Sequence, residues 1–350
     1  MKRTVHSNFS LRAIGSISIA FCTLGVLSAQ SKELNIPSLS QASLTPTIEH
    51  VKFFSPESEQ SSKKIARNGI LVRYKDASAT ILVAHGYMCD KFDVGFLRNM
   101  FPQGKYNFLT FDFRAHGEDT QGQSCTLGRD EALDVITAAK FIKNHPALKG
   151  KPLYAYAFSM GAVATIEAQA KDSTLFDALI LDCPFDSTEN ILKQCVDNLK
   201  FSIFGYEFTV PGKSILQKYA FHPYVQSLIK ILLQAVKKIP QKKIETNVFP
   251  LSPVQSIVKV SVPCFFIHCK QDEKVSIAAI KSVYAGASGP KMLWLTNGRN
   301  HYDSYFYNPE GYIEKVSQFL DQVGVGKWKN AKEQRIIEDT DDLARIRKIS

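Results

Sequence analysis

Ser159 lies at the centre of Ala157-Phe158-Ser159-Met160-Gly161, between an apolar run (PLYAY) and a helix-forming run (AVATIEAQA). A serine hydroxyl attacks a carbonyl efficiently only when a base takes its proton. Where a strand turns sharply into a helix, the crowded backbone needs small residues around the turn. Such an elbow lifts the hydroxyl clear of the sheet, while the first helical N–H groups face any developing anion. The usual spacing is Gly-x-Ser-x-Gly, and Ala157 adds one methyl at the first position. The backbone N–H of Met160, next after the serine, is therefore the first expected oxyanion donor.

The elements that must hold this serine follow from the apolar pattern. Candidate strands are Ile48–Phe54, Gly69–Tyr74, Ala79–His85, Tyr106–Phe111, Pro152–Phe158, Asp177–Leu181, Pro263–His268 and Lys291–Leu295. Helical periodicity covers Phe92–Phe101, Gly128–His145, Met160–Lys171, Ser276–Ala285 and Pro309–Val323. From the third strand onward, strands and helices alternate, which predicts an α/β fold with helices on both faces of a mostly parallel, eight-stranded sheet. Runs such as ILVA and PCFFIH are apolar throughout, as strands covered on both faces should be. The core is thus expected at 48–186 and 259–325.

Residues 187–258 interrupt this rhythm with a connection far longer than the usual 2–6 residues, so a cap or lid is expected after the sixth strand. Within it, Tyr224–Ile239 places Val225, Leu228, Ile229, Leu232, Val236 and Ile239 at helical spacing, with Lys237 and Lys238 at the C-terminal end. That pattern suits a helix packed on the core, or one lying on a membrane surface. The last stretch, 326–350, is charged and is expected to form a loosely attached helical tail.

Together these motifs resemble the α/β-hydrolase superfamily, and within it the cap-bearing serine hydrolases of the monoacylglycerol lipase and serine aminopeptidase type. The resemblance spans about Ile48 to Val323 and rests on ILVAHGY, FDFRAHGED, LGRDEALDV, AFSMG, SPVQSIVKVSVPCFFIHCKQDEKVS and GRNHYD. It implies the chain order serine, acid, histidine, hence Ser159, Asp272 and His301. Asp272 follows the strand PCFFIH in a KQDEKV context, although Cys269 stands where a Gly is usual; His301 follows the strand KMLWL. Asp182 and Asp186 are rival acids after the sixth strand. His85, His116, His145, His222 and His268 are rival bases, with structural roles expected for His85, His116 and His268. By the same resemblance, Tyr87, which follows His85-Gly86, supplies the second oxyanion N–H, and Arg114–Gly117 forms a structural loop beside the site.

These residues imply a serine hydrolase acting on a carboxylic ester through an acyl-enzyme, with no cofactor and no metal. The alternatives are a peptidase or thioesterase on the same triad, or a non-catalytic binding module on the same fold. The expected partner is a small ester or acyl substrate, with possible peripheral membrane contact through the cap.

Composition bounds the remaining possibilities. The chain has 350 residues, 45% hydrophobic and 22% charged, so neither disorder nor a fibrous repeat is expected. Its net charge is +10, but Lys2, Arg3 and Arg12 lie in a first segment without acids, and ten Lys oppose four acids between 187 and 260. The remainder is close to balanced, which argues against a nucleic-acid partner.

Residues 1–29 carry the basic, apolar and small-residue succession of a signal peptide, and 30–47 read as a polar linker. Export to the periplasm or medium is expected, with an uncleaved membrane anchor as the alternative. Of seven Cys, six lie beyond this segment, an even number compatible with disulfides in an exported chain. Cys89 and Cys125 are a candidate bridge, since both are placed in loops on one sheet edge. No Cys/His spacing suits a structural zinc site.

Overall fold

The computed structural model describes residues 44–118, 120, 122–197, 200–203, 206–209, 213–222, 224–227, 244–329 and 334–340. The signal segment, nearly all of the polar linker, most of the expected Tyr224–Ile239 helix and the last ten residues lie outside the described residues.

One nine-stranded sheet forms the framework, in the order β1-β2-β4-β3-β5-β6-β9-β10-β11. Its strands are β1 (Thr47–Pro56), β2 (Lys64–Arg73), β3 (Ala79–Ala84), β4 (Tyr106–Phe111), β5 (Leu153–Phe158), β6 (Ala178–Asp182), β9 (Cys264–Cys269), β10 (Lys291–Thr296) and β11 (Gln334–Glu338). β2 pairs antiparallel with both β1 and β4, whereas all other pairings are parallel. Every residue of β3, β4, β5, β6, β9 and β10 is buried, which explains their continuous apolar character: both faces are covered.

On one face lie α1 (Glu131–Asn144), α2 (Met160–Lys171) and α5 (Ile277–Gly286). They contribute Val135, Ile142, Ile166, Ile280 and Val283 to a core shared with Leu82, Phe111, Leu181 and Phe266. The other face is covered by α6 (Pro309–Gly324) and a 3-10 helix at Gly95–Met100, which bring Tyr312, Val316, Phe319 and Leu97 against Tyr156, Phe265 and Trp294.

The helix expected at Phe92–Phe101 is shorter than its apolar spacing implies. Asp90 accepts hydrogen bonds from the Phe92 and Asp93 N–H groups at 2.9 and 3.2 Å, holding the first residues in a turn. Pro102 forces Phe101 into extended backbone (φ −113°, ψ 153°), leaving six residues in the tighter helix.

The C-terminal expectation needs correction. Instead of a loosely attached helix, residues 334–338 add the ninth strand to the sheet edge, pairing Ile336 with Leu293 and Ile337 with Trp294. Two adjacent β-branched residues favour the extended state once a free edge is available, and that edge is formed by residues about forty positions earlier. Trp328 anchors the approach, buried edge-on to Phe319 with its Nε1–H donating to Gln322 at 2.9 Å.

The insert between β6 and β9 is not wholly helical either. It carries α3 (Thr188–Asp197) and α4 (Lys213–Lys218), but also an antiparallel hairpin of β7 (Lys200–Ile203) and β8 (Tyr206–Thr209). The aromatic-rich segments FSI and YEFT suit strands better than helix. At its neck the two limbs clasp: the Thr188 N–H donates to the Leu251 carbonyl at 3.0 Å, and the Leu251 N–H returns to Thr188 Oγ1 at 2.9 Å.

Candidate active site

Ser159 stands between β5 and α2 with φ +49° and ψ −114°, a conformation rare for residues with a side chain. Neighbouring backbone holds it there: its N–H donates to the Asp182 carbonyl at 2.8 Å. A Cβ on Gly161 would overlap the His85 carbonyl oxygen and lie 2.5 Å from that of Ala84, so only glycine lets α2 begin this close to β3. Ala157, in the first position of the motif, is wholly buried in register with Ala84. Its methyl is accommodated because the facing residue is equally small.

The loops after β9 and β10 converge on this serine. Ser159 Oγ donates toward His301 Nε2 at 2.8 Å, and His301 Nδ1 lies 2.7 Å from Asp272 Oδ2. Asp272 Oδ1 accepts the N–H groups of Lys274 and Val275 at 2.8 and 3.0 Å, which fixes the carboxylate plane. Burial pushes the Asp272 carboxyl up, but the hydrogen bond and charge of His301, with the Val275 N–H, outweigh it and hold the group below the ordinary carboxylate range. The Asp272 side chain is 0% exposed and that of His301 13%, so the imidazole is the part of this pair that solvent reaches.

Gly86 packs its Cα against the serine, where a Cβ would meet Ser159 Cβ at 3.7 Å. This brings the following loop, with Tyr87, beside the elbow. Neither the Tyr87 nor the Met160 N–H donates to a backbone carbonyl among the described residues, and Met160 is the first residue of α2, where helical N–H groups have no intrahelical partner. Two buried histidines hold the loop. His116 Nε2 accepts the Met88 N–H at 3.2 Å while Nδ1 faces the Arg114 carbonyl, and His85 Nε2 accepts the Phe113 N–H at 3.1 Å while Nδ1 faces the Gly86 carbonyl. In each ring Nδ1 carries the proton. Burial, reinforced by His116, pushes His85 down to about 3, so it stays neutral.

The other rivals are engaged elsewhere. Asp182 Oδ2 accepts the Tyr312 hydroxyl at 2.6 Å, and burial pushes its carboxyl up to about 6. Asp186 accepts the Ser187 N–H and the Asn190 side-chain amide, bracing the start of α3, which Ser187 Oγ caps by accepting the Asn190 N–H at 3.1 Å. His268 faces the Val275 carbonyl at 3.1 Å, His145 accepts the Ala147 N–H, and His222 stacks on Tyr224. Arg114 is buried in a paired contact with Asp134, which makes its loop a structural brace.

Two features were not legible in the sequence. The returning limb of the insert reaches the site: Tyr87 Oη lies 3.0 Å from Thr246 Oγ1, and Cys125 exchanges backbone hydrogen bonds with Glu245 and Asn247. No local signal marks Thr246, because its partner is 159 positions away. Further, no disulfide joins Cys89 and Cys125. Cys125 is buried with Sγ 3.4 Å from Met160 Sδ, turned inward by the bridge to Thr246.

Several solved structures superpose on this framework. The esterase Pf2001 of Pyrococcus furiosus matches with a TM-score of 0.56 at 20% identity, over 80% of this chain and 93% of its own. The peroxisomal α/β-hydrolase Lpx1 of Saccharomyces cerevisiae matches with a TM-score of 0.53 at 14% identity, over 87% of this chain and 96% of its own. The α/β-hydrolase GrgF of Penicillium sp. sh18 gives 0.54 at 16% identity, over 80% and 99%. The chain has the α/β-hydrolase fold.

In this fold the insert lies between β6 and β9, and Ser159 occupies the turn after β5. In sequence, the chain is 27% identical over 259 residues to YqkD of Bacillus subtilis, a protein described as uncharacterized; the match covers 73% of this chain and 75% of YqkD. No protein-family model matches the chain.

Proposed function

We propose that the protein is a serine hydrolase that cleaves a carboxylic ester through an acyl-enzyme. The observation that carries this reading is the continuous contact from Ser159 through His301 to Asp272 at 2.8 and 2.7 Å. Ser159 Oγ attacks the ester carbonyl as its proton passes to His301 Nε2. The oxyanion accepts the Met160 and Tyr87 N–H groups, and collapse expels the alkoxide, which takes the proton back from His301. Water, deprotonated by the same imidazole, then attacks the acyl carbon and frees Ser159. Asp272 remains ionised throughout, holding the proton on Nδ1 and stabilising the transient imidazolium. That the structurally similar Pf2001 is named an esterase supports an ester as the substrate.

The test is covalent labelling with a fluorophosphonate. Wild-type protein is expected to react at Ser159 and Ser159→Ala to be inert; equal labelling of the variant overturns the assignment. Comparison of p-nitrophenyl esters of increasing chain length with aminoacyl-nitroanilides and thioesters then separates esterase from peptidase and thioesterase. Failure of every serine-directed probe would leave a binding module on the same fold.

We also propose that the cap touches a membrane surface. Ile215, Tyr219 and Tyr224 are 64, 49 and 82% exposed, close in sequence to Lys218, a combination suited to an anionic bilayer interface. Flotation with anionic liposomes, but not with neutral ones, is the expected result. No described helix is long and apolar enough to span a membrane, and export rests on residues 1–29 alone.

A further inference from the structure

Beneath the imidazole and carboxylate of the candidate triad lies a thiol that the ester chemistry does not use. Cys183 follows β6, is wholly buried and has φ +53°, a left-handed backbone that sets its side chain apart from the strand's alternation. Its Sγ, one oxygen of Asp272 and one ring nitrogen of His301 all lie within 4.8 Å of one another. Sulfur, carboxylate oxygen and imidazole nitrogen form a mixed donor set that borderline-soft divalent ions favour over magnesium or calcium.

We propose that Cys183, Asp272 and His301 form a binding site for a thiophilic divalent cation such as Zn²⁺, and that occupancy silences the serine centre. The silencing rests on Ser159 acting as nucleophile; the cation site does not.

Charge and geometry favour this. One thiolate and one carboxylate balance a dication with a neutral imidazole, so no net charge is left buried. The Cys183 proton departs to solvent as the S–metal bond forms. Bonds of about 2.0–2.3 Å at tetrahedral angles require donors roughly 3.5 Å apart, so on a cation bound through Nδ1 the 2.7 Å contact between His301 and Asp272 opens, while the remaining separations, none above 4.8 Å, need only a small adjustment. His301 sits at the end of a loop and is the most exposed of the three, so it supplies both the movement and the entry path. The neighbouring Asp182 holds a buried Oδ1 without a hydrogen-bond partner, a further oxygen beside the site. The three ligands come from three separate loops, which is why no Cys/His spacing announces them.

Inhibition follows whichever ring nitrogen binds. A cation on Nδ1 breaks the contact with Asp272 and leaves the proton on Nε2, which then cannot accept from Ser159. A cation on Nε2 occupies the base itself. Both routes are reversed by a chelator and neither consumes a redox equivalent.

Cobalt(II) is the probe, because a cobalt–thiolate bond gives a charge-transfer absorption that oxygen and nitrogen ligands alone do not. The full chain, freed of metal with a chelator, is titrated with Co²⁺ and then with Zn²⁺. The expected result is a thiolate band that Zn²⁺ abolishes, present also in Ser159→Ala and in Cys269→Ala but absent from Cys183→Ala and Cys183→Ser. In parallel, Zn²⁺ is expected to inhibit ester hydrolysis reversibly, with an inhibitory concentration at least tenfold higher in the Cys183 variants relative to each protein's own metal-free rate. Mg²⁺ is expected to have no effect. Absence of the band in wild-type protein, or a band surviving both Cys183 substitutions, overturns the site. A band without inhibition of an active enzyme retains the site and overturns the silencing. A band in a protein with no esterase activity separates failure of the ester reading from failure of the cation site.

Discussion

Gly161 packs directly beneath the carbonyl of His85, with no room between them for a methyl group. That contact lets α2 start hard against β3 and sets the direction of the Met160 N–H. Gly161→Ala gains about 1 kcal/mol in helix propensity, but overlap with two backbone carbonyls outweighs it. The expected net loss is ~1–3 kcal/mol of stability, read as a lower urea midpoint, and a fall in kcat on the order of 10²-fold as one oxyanion donor is displaced. A variant as stable and as active as wild type would show that the elbow tolerates a wider gap.

Asp272 receives two backbone N–H groups on one oxygen and His301 on the other. Asp272→Asn keeps the shape but presents a neutral amide to Nδ1, which favours the wrong imidazole tautomer. A kcat decrease of roughly 10⁴-fold with KM little changed is expected, measured with a short p-nitrophenyl ester. Because the folded carboxyl is held below its ordinary range, the stability it contributes is present at neutral pH and is lost as pH falls through the folded value.

Asp182 has the opposite sign. Burial raises its carboxyl to about 6 from the ordinary 3.8, so the folded chain binds a proton that the unfolded chain has released. Stability from this group is full below about pH 4 and declines as pH rises to about 6, by up to ~3 kcal/mol. Asp182→Asn keeps an acceptor for the Tyr312 hydroxyl and removes the ionisation. Urea midpoints at pH 4, 5, 6 and 7 should therefore fall less steeply in the variant; parallel curves would mean that Asp182 ionises without hindrance in the folded protein.

Trp294 is wholly buried on β10 and donates its indole N–H to Asp339 Oδ1 at 2.8 Å, just beyond β11. Asp339→Ala leaves that donor unpaired and should cost about 1–3 kcal/mol, seen as a lower Tm together with altered tryptophan emission. An unchanged Tm would place the edge strand outside the cooperative unit.

The sequence alone carried the parallel core and the serine at a strand-to-helix turn. These depend on local periodicity and on small residues at a crowded bend, both legible without partners. The resemblance supplied Asp272 and His301 over Asp182 and the other histidines, but bonding distance between them is a property of three loops meeting at one sheet edge. Residues 334–338 look like part of a charged tail until β10 offers them an edge, and Cys125 looks available for a bridge until Thr246 turns its loop inward. The gathering of Cys183, Asp272 and His301 belongs wholly to the tertiary structure. Side chains separated by about 90 and 30 positions leave no shared periodicity, and only the packing of β6 beside β9 and β10 brings their donor atoms together.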